Sequence, residues 1–358
     1  MMSQPTYKLL FMSTGVGALG SGLGGGIEVT LPNIVKAMQQ RGHTIDIVAP
    51  AGSRSGSLPL IEIPGNTQNA AQDQKYDAEI GIPTNSVLAN MWSYAYQVQG
   101  NYDLILNFSY DWLPLYLTQF FHRSVAHLIS MSSLLDAMDD MIAKVATQFA
   151  HAIGVHSKTQ AATFPCPDEC VCLFNGLDLS LYQFCDQPGN SLGWVGRIAP
   201  EKGLEDAVAA ANTLGMPLKI FGLMQNEEYW QQVRQAYPDA QIDYQGFVST
   251  NELQAGLREC QAMLATPHWI DAFPTVGLES LACGVPVIAY SRGGLVEIVE
   301  DGKTGFLVEP DSVQGLIDAV KRVHTIDRQN CRQQAESLYS LAAMGARVEQ
   351  WFEKILHR

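Results

Sequence analysis

Two cations and two acids in the second half of the chain are spaced to hold a phosphorylated sugar. Arg197 and Lys202 sit in Gly196-Arg197-Ile198-Ala199-Pro200-Glu201-Lys202-Gly203, between an apolar run ending at Val195 and a helical stretch opening at Leu204. A guanidinium offers a planar fork and an ammonium a point charge, and both suit a diphosphate. A lone pair of cations is ordinarily solvated surface, but Gly196, Pro200 and Gly203 fix the course of this loop. Asp271 and Glu279 stand on either side of the loop-to-helix junction in TPHWIDAFPTVGLESLACG. The spacing predicts a helix that starts near Thr275 and stops at Gly284, which aims the backbone N–H groups of Phe273, Thr275 and Val276 at an anion. Glu279, one turn in, suits the vicinal hydroxyls of a ribose, and Asp271 suits those of a sugar. Either acid alone reads equally well as a structural carboxylate; both beside the Arg/Lys loop do not.

A second glycine-rich stretch runs from Gly15 to Gly26. Gly15-x-Gly17-x-x-Gly20 follows the first apolar run and formally matches a dinucleotide fingerprint. That fingerprint needs the helix to open inside the motif and an acid at the end of the second strand. Here the helical pattern begins only after Gly26, and the second strand ends Val48-Ala49-Pro50. NAD is disfavoured. The alternatives are a flexible loop closing near a ligand, where glycine lets backbone N–H groups approach phosphate or sugar oxygens, and a mobile surface loop without such contact. Cys166, Cys170 and Cys172 resemble a metal set, but their spacing lacks a nearby fourth ligand and is poor for zinc. No metal is expected.

These residues require strands that end where the loops begin. YKLLFMS, HTIDIVAP, YDLILNFS, SVAHLIS and AHAIGVHS read as buried strands separated by helical stretches, the first of them from Ile27, with Pro32 in its first turn. The pattern restarts at Ser191–Val195 and continues through PLKIFG, AQIDYQGF, QAMLATP and VPVIAYS. Alternating β and α units predict parallel sheets with helices on both faces. Two α/β domains of similar size account for the length, with Tyr182–Asn190 as a linker. The last helical stretch, about Gln333 to Leu356, fits either domain.

Composition narrows the partners. Apolar residues make up 47% of 358, ordinary for a full core, and the formal net charge is −14. That balance argues against nucleic acid or an anionic membrane as the main partner. There is no long apolar run and no basic leader, and the odd number of cysteines makes a disulfide framework an unfavoured reading. A cytoplasmic setting is expected.

Taken together, the G-R-x3-E-K-G stretch, the Asp271-x7-Glu279 motif, Asn175-Gly176-Leu177-Asp178 and Gly25-Gly26-x-Glu28 resemble glycosyltransferase family 4, in the same order and over nearly the whole chain. The resemblance implies a GT-B fold, two Rossmann-like domains facing across a cleft. The divisions would be 1–180 for the acceptor, 181–340 for the nucleotide-sugar donor, and 341–358 as a helix crossing back to the first domain. It implies a retaining transferase with no bound metal and a UDP-sugar as co-substrate rather than a cofactor. Carried over by position, Arg197 and Lys202 hold the donor diphosphate, Glu279 the ribose and Asp271 the transferred sugar. The backbone of Phe273, Pro274, Thr275 and Val276 meets sugar and phosphate, Gly25 and Gly26 meet the phosphate from the first domain, and Val248 lies where the family places the base.

Two departures stand out. The family has Glu where this chain has Asp271, one methylene shorter. Many members end the strand SVAHLIS with a His; here Ser130 occupies that place, and His127 lies inside the strand, where a packed histidine is the favoured reading. Segments such as SVLANMW, NFSYDWLPLYLTQFF and HLISMSSL further resemble the branch that glucosylates tetrahydrobiopterin from UDP-glucose. That branch implies a small-molecule acceptor, with Tyr110, Trp112 and Tyr116 as faces for a flat ring, or as core residues. Other readings are a membrane-lipid or polysaccharide glycosyltransferase, a nucleotide-sugar epimerase and a non-catalytic sugar-nucleotide-binding protein. Oligomeric state is not legible.

Overall fold

Short, near-continuous apolar runs form central strands buried on both faces, the edge strands are partly exposed, and every pairing between the described strands is parallel. The computed structural model describes residues 5–54, 56, 58–71 and 74–357. These fall into two units: residues up to Gly176 together with those from Leu341 onward, and Leu177–Ser340.

In the first unit the strands are β1 (Lys8–Met12), β2 (Thr44–Pro50), β3 (Leu60–Ile63), β4 (Leu104–Asn107), β5 (Ser124–Ile129), β6 (Ile153–Val155) and β7 (Val171–Cys172). Among the described residues they lie in the order β3-β2-β1-β4-β5-β6-β7. The second unit holds β8 (Ser191–Val195), β9 (Leu218–Phe221), β10 (Ile242–Gly246), β11 (Cys260–Ala265), β12 (Val287–Tyr290) and β13 (Gly305–Val308), ordered β10-β9-β8-β11-β12-β13. In each sheet the order of the strands reverses once, between β1 and β4 and between β8 and β11, while all strands stay parallel. Such a switch leaves a crevice beyond the carboxyl ends of those strands, the usual ligand position in doubly wound sheets.

The helix Ile27–Gln40 buries Ile27, Leu31, Ile34, Val35 and Met38 on one face, the spacing its sequence carries. Pro32 lies in its second turn, not its first, and so withholds an N–H from the Glu28 carbonyl. The closing stretch is two helices, Arg328–Leu338 and Leu341–Leu356, each assigned to a different unit. The last one buries Leu341, Met344, Val348, Trp351, Phe352 and Ile355 in the core of the first unit. Gly345 lets it approach Ile27–Gln40 closely, since a Cβ there would lie 3.2 Å from the Ala37 Cβ. Glu349, buried on the same face, bonds His43 Nε2 at 3.0 Å and pairs with Arg41.

The stretch Tyr182–Asn190 is no free linker. Tyr182 is buried, the Cys185 N–H bonds the Cys283 carbonyl at 3.1 Å, and the Gly189 N–H bonds the Glu259 carbonyl at 3.0 Å. The chain passes between the units at Gly176–Leu177 and again at Ser340–Leu341.

Candidate active site

The crevice of the second unit is built from the loops that leave β8 and β11. After β8 the chain runs through Arg197 into a single 3₁₀ turn, Pro200–Lys202, and leaves it at Gly203, whose φ is +63°. A Cβ on Gly203 would lie 2.0 Å from the Thr266 carbonyl oxygen, so this loop presses directly on the one after β11. Side chains and backbone lace the two together. The Thr266 hydroxyl donates to the Gly203 carbonyl at 2.7 Å, Trp194 Nε1 donates to that hydroxyl at 3.2 Å, and the His268 N–H bonds the Glu201 carbonyl at 2.9 Å.

That lacing brings Lys202 to Asp271. Lys202 Nζ stands 2.5 Å from Asp271 Oδ2 and 4.8 Å from the centre of the Trp269 ring, and both side chains of the pair are about four-fifths buried. Behind Asp271 the loop after β12 supports the backbone. The Gly294 N–H donates to the Asp271 carbonyl at 2.8 Å, and a Cβ on Gly293 (φ +62°) would come within 2.5 Å of that oxygen. Arg197 is held differently, with one guanidinium nitrogen 2.9 Å from Glu201 Oε1 and another bonded to Gln225.

The helix Thr275–Ala282 opens at Pro274 with no side-chain cap. The N–H groups of Thr275 and Val276 precede the first bond of this end, from the Gly277 N–H to the Pro274 carbonyl at 3.1 Å, and give it a partial positive charge. Glu279 is buried on this helix, and its Oε1 accepts the Tyr182 hydroxyl at 2.8 Å. Burial pushes the Glu279 carboxyl up to about 7, against the lowering effect of that hydrogen bond. Gly284, at φ +78°, ends the segment. Val248 is half-buried just beyond β10, two strands from β8. Tyr182, Gly293 and Gly294 escaped the sequence reading, although a Gly-Gly pair after a strand is a signal for close backbone approach.

In the first unit, the loop after β1 is organised by one side chain. The Glu28 carboxylate accepts the N–H groups of Gly20 at 3.1 Å, Gly22 at 3.0 Å and Gly24 at 2.9 Å. Glycine at those positions forms a cradle of N–H groups, the arrangement that suits an anion, and Glu28 occupies it. Gly25 (φ +58°) and Gly26 follow on the exposed side of the loop.

Beside that loop lies a cavity of about 440 Å³. It is lined by the end of β1 (Thr14, Gly15, Val16), by Ser109–Trp112 after β4, by parts of the segment 67–83, and by Leu135 and Met138. Tyr110 and Trp112 face into it, and Trp112 stacks on Tyr116 with ring centres 4.6 Å apart. Tyr116 is not part of this wall.

His127 and Ser130 do not line the cavity. His127 is completely buried, with Nδ1 3.1 Å from Asn107 Nδ2 and Nε2 2.8 Å from the Thr118 hydroxyl. Desolvation holds its pKa down to about 3. A neutral ring with both nitrogens engaged inside the sheet is a packing residue, so His127 leaves the set of acceptor contacts. The Ser130 hydroxyl lies 2.9 Å from Nε2 of His156, another buried histidine. The three clustered cysteines are thiols outside any disulfide; Cys170 Sγ donates to the Cys166 carbonyl and Cys172 Sγ to that of His156. Asp206, His268 and Asp311 come within reach of a common point. The Arg292 guanidinium already holds both Asp311 oxygens, at 3.1 and 2.8 Å, and supplies the positive charge there.

Comparison with known proteins bears on both units. Residues 186–338 match the family model described as Glycosyl transferases group 1, which lies within the second unit. Glycogen synthase of Mycobacterium tuberculosis is 32% identical over 159 residues, 42% of this chain and 38% of that protein. The 2-deoxystreptamine N-acetyl-D-glucosaminyltransferase of Niallia circulans is 29% identical over 140 residues, 37% of this chain and 36% of that one. The chain thus spans under two-fifths of the length of these curated relatives. Among solved structures, Anabaena Alr3699/HepE in complex with UDP and glucose superimposes with a TM-score of 0.76 at 18% identity, covering 97% of this chain and 100% of the other. Sucrose-phosphate synthase of Thermosynechococcus elongatus gives a TM-score of 0.78 at 17% identity, covering 98% and 99%. At such identities the likeness establishes the fold, and it is GT-B: two parallel-sheet Rossmann-like units in one chain. No helix among the described residues is long and apolar enough to cross a membrane.

Proposed function

We propose that this chain is a retaining, metal-independent glycosyltransferase that moves glucose from UDP-glucose to a small acceptor, a pterin such as tetrahydrobiopterin. The observation that carries the reading is the crevice at the β8–β11 switch. There Lys202 and Asp271 meet, Arg197 leaves the adjoining strand, and an uncapped helix carries the buried Glu279. The match of residues 186–338 to a glycosyltransferase family supports it, as does the fold shared with a protein crystallised with UDP and glucose.

In this reading, breaking the bond from the sugar's anomeric carbon to the diphosphate leaves negative charge on a β-phosphate oxygen. Lys202, Arg197 and the N–H groups at Thr275 and Val276 stabilise that charge without reorganising at the moment of reaction. A phosphate competes with Asp271 for Lys202 and with Glu201 for Arg197, which frees the Asp271 carboxylate to accept sugar hydroxyls. Glu279 accepts from the ribose, and Val248 borders the base. Retention follows from attack on the face the diphosphate leaves, with that phosphate taking the acceptor's proton. The acidic surface suits a cytoplasmic enzyme with a soluble acceptor rather than a membrane lipid.

Incubation with labelled UDP-glucose and tetrahydrobiopterin in the presence of EDTA tests this. Labelled pterin α-glucoside and free UDP are expected. Turnover of UDP-glucose with no acceptor present and no glucoside formed, or tight binding with no turnover over a broad acceptor panel, would remove the reading in favour of an epimerase or a binding protein.

A further inference from the structure

The cavity of the first unit carries more information about the acceptor than its aromatic walls. Asp111 lines it from the loop after β4, next to the β1–β4 switch. Oδ1 accepts the Leu113 N–H at 3.0 Å and Oδ2 accepts the Gln68 side-chain amide at 2.6 Å. Gln68 is held at both ends, its backbone N–H donating to the Gly15 carbonyl at 2.9 Å and its side-chain oxygen accepting the Ser86 hydroxyl at 3.5 Å. The carboxylate is therefore held in one orientation, from two sides. A carboxylate has about four lone-pair positions, so one on each oxygen stays open to a ligand. Two open positions on one planar group match two parallel N–H donors.

The rest of the wall sets shape and charge. Tyr110 and Trp112 bracket Asp111 in sequence and share its cavity. The Tyr110 hydroxyl accepts the Leu134 N–H at 3.2 Å and the Trp112 ring lies on Tyr116, so both rings are braced. Flat, braced rings suit a flat ligand. The volume, about 440 Å³, falls in the ordinary range for one small molecule. Among the described lining residues the ionisable acids are Asp111 and Glu79, and there is no lysine, arginine or histidine. An anionic ligand meets repulsion here and no compensating cation.

We propose that Asp111 is the acceptor anchor: the cavity takes a flat, uncharged or cationic nitrogen heterocycle through two adjacent N–H donors and turns away phosphorylated acceptors. This rests on the glycosyltransferase reading and narrows its acceptor. Asp111 also caps the short helix Trp112–Leu117. Asparagine and serine cap as well as aspartate does, so Asp111→Asn and Asp111→Ser remove the charge while keeping that role.

The test measures transfer and binding side by side in wild type and both variants. Calorimetry follows tetrahydrobiopterin and UDP separately, and the transfer assay compares tetrahydrobiopterin with inositol 1-phosphate as acceptors. Expected are a rise of roughly tenfold or more in the acceptor KM and Kd for both variants, as for loss of a charged hydrogen-bond partner. UDP affinity and the melting temperature should be unchanged, and inositol 1-phosphate should be a poor acceptor. Unchanged pterin affinity in the variants, or preference for the phosphorylated acceptor, overturns the anchor while leaving the transferase reading intact. Absence of UDP binding and of transfer in wild type defeats the transferase reading instead, and pterin calorimetry on the variants still decides whether Asp111 holds the ring.

Discussion

Lys202 and Asp271 neutralise one another at close range and are mostly withdrawn from solvent, so removing either leaves the other costly where it stands. Loss of one preorganised charge at a developing anion typically lowers turnover about 10²–10³-fold. Lys202→Ala and Arg197→Ala should each stay folded by circular dichroism and lose glucosyl transfer by that factor. Glu279 offers a prediction of opposite sign in stability and in binding. Its carboxyl titrates near 7 in the folded protein against an ordinary 4.5, so the folded state holds the proton more tightly. The stability this contributes is complete below about 4.5 and is lost as pH rises through about 7. Glu279→Gln should therefore outlast wild type in urea by roughly 3 kcal/mol at pH 8 and by little at pH 4.5, while binding uridine more weakly at both.

At the scale of loops and helices, the two glycine-rich connections are rigid for different reasons. Gly203 has a left-handed backbone and no room for a methyl group, whereas Gly215 shares that backbone (φ +65°) with no atom within 4 Å of a built Cβ. Gly215→Ala should cost about 1–2 kcal/mol from backbone strain alone. Gly203→Ala should cost clearly more, and chemical denaturation of the two variants checks the difference. Glu28 ties three N–H groups of the loop after β1. Glu28→Ala should speed amide exchange at Gly20, Gly22 and Gly24 roughly tenfold or more without moving the global midpoint. The loop that carries Arg197 and Lys202 and the helix start at Thr275, between Asp271 and Glu279, were legible because glycine and proline mark them in the sequence. Glu28's staple, Tyr182's bond to Glu279 and Gln68's hold on Asp111 were not. Those partners lie 4 to 97 positions apart, and no local pattern encodes which loop meets which. His127 was legible in part. Its place inside a strand already favoured a packed residue, and the structure adds what the sequence does not carry, Asn107 and Thr118 as the partners of its two ring nitrogens.

For the whole molecule, strand–helix alternation announced two α/β units, whereas the strand orders came only with the structure, because right-handed alternation is compatible with more than one order. What alternation does not encode is that the first unit is closed by the last helix of the chain. That helix contributes Trp351 and Phe352 to its core, with Trp351 Nε1 on the His151 carbonyl at 2.6 Å. Trp351→Ala should cost about 3–5 kcal/mol, as for other large buried side chains, and lower the melting of the first unit alone. The central claim is that cations of the second unit hold a nucleoside diphosphate with no metal to help them. Calorimetric titration of UDP and of uridine in EDTA, on wild type and on the Arg197→Ala/Lys202→Ala double variant, tests it most directly. The account predicts at least about a hundredfold loss of UDP affinity in the double variant, with uridine binding unchanged. Equal UDP affinity in the two proteins would contradict it.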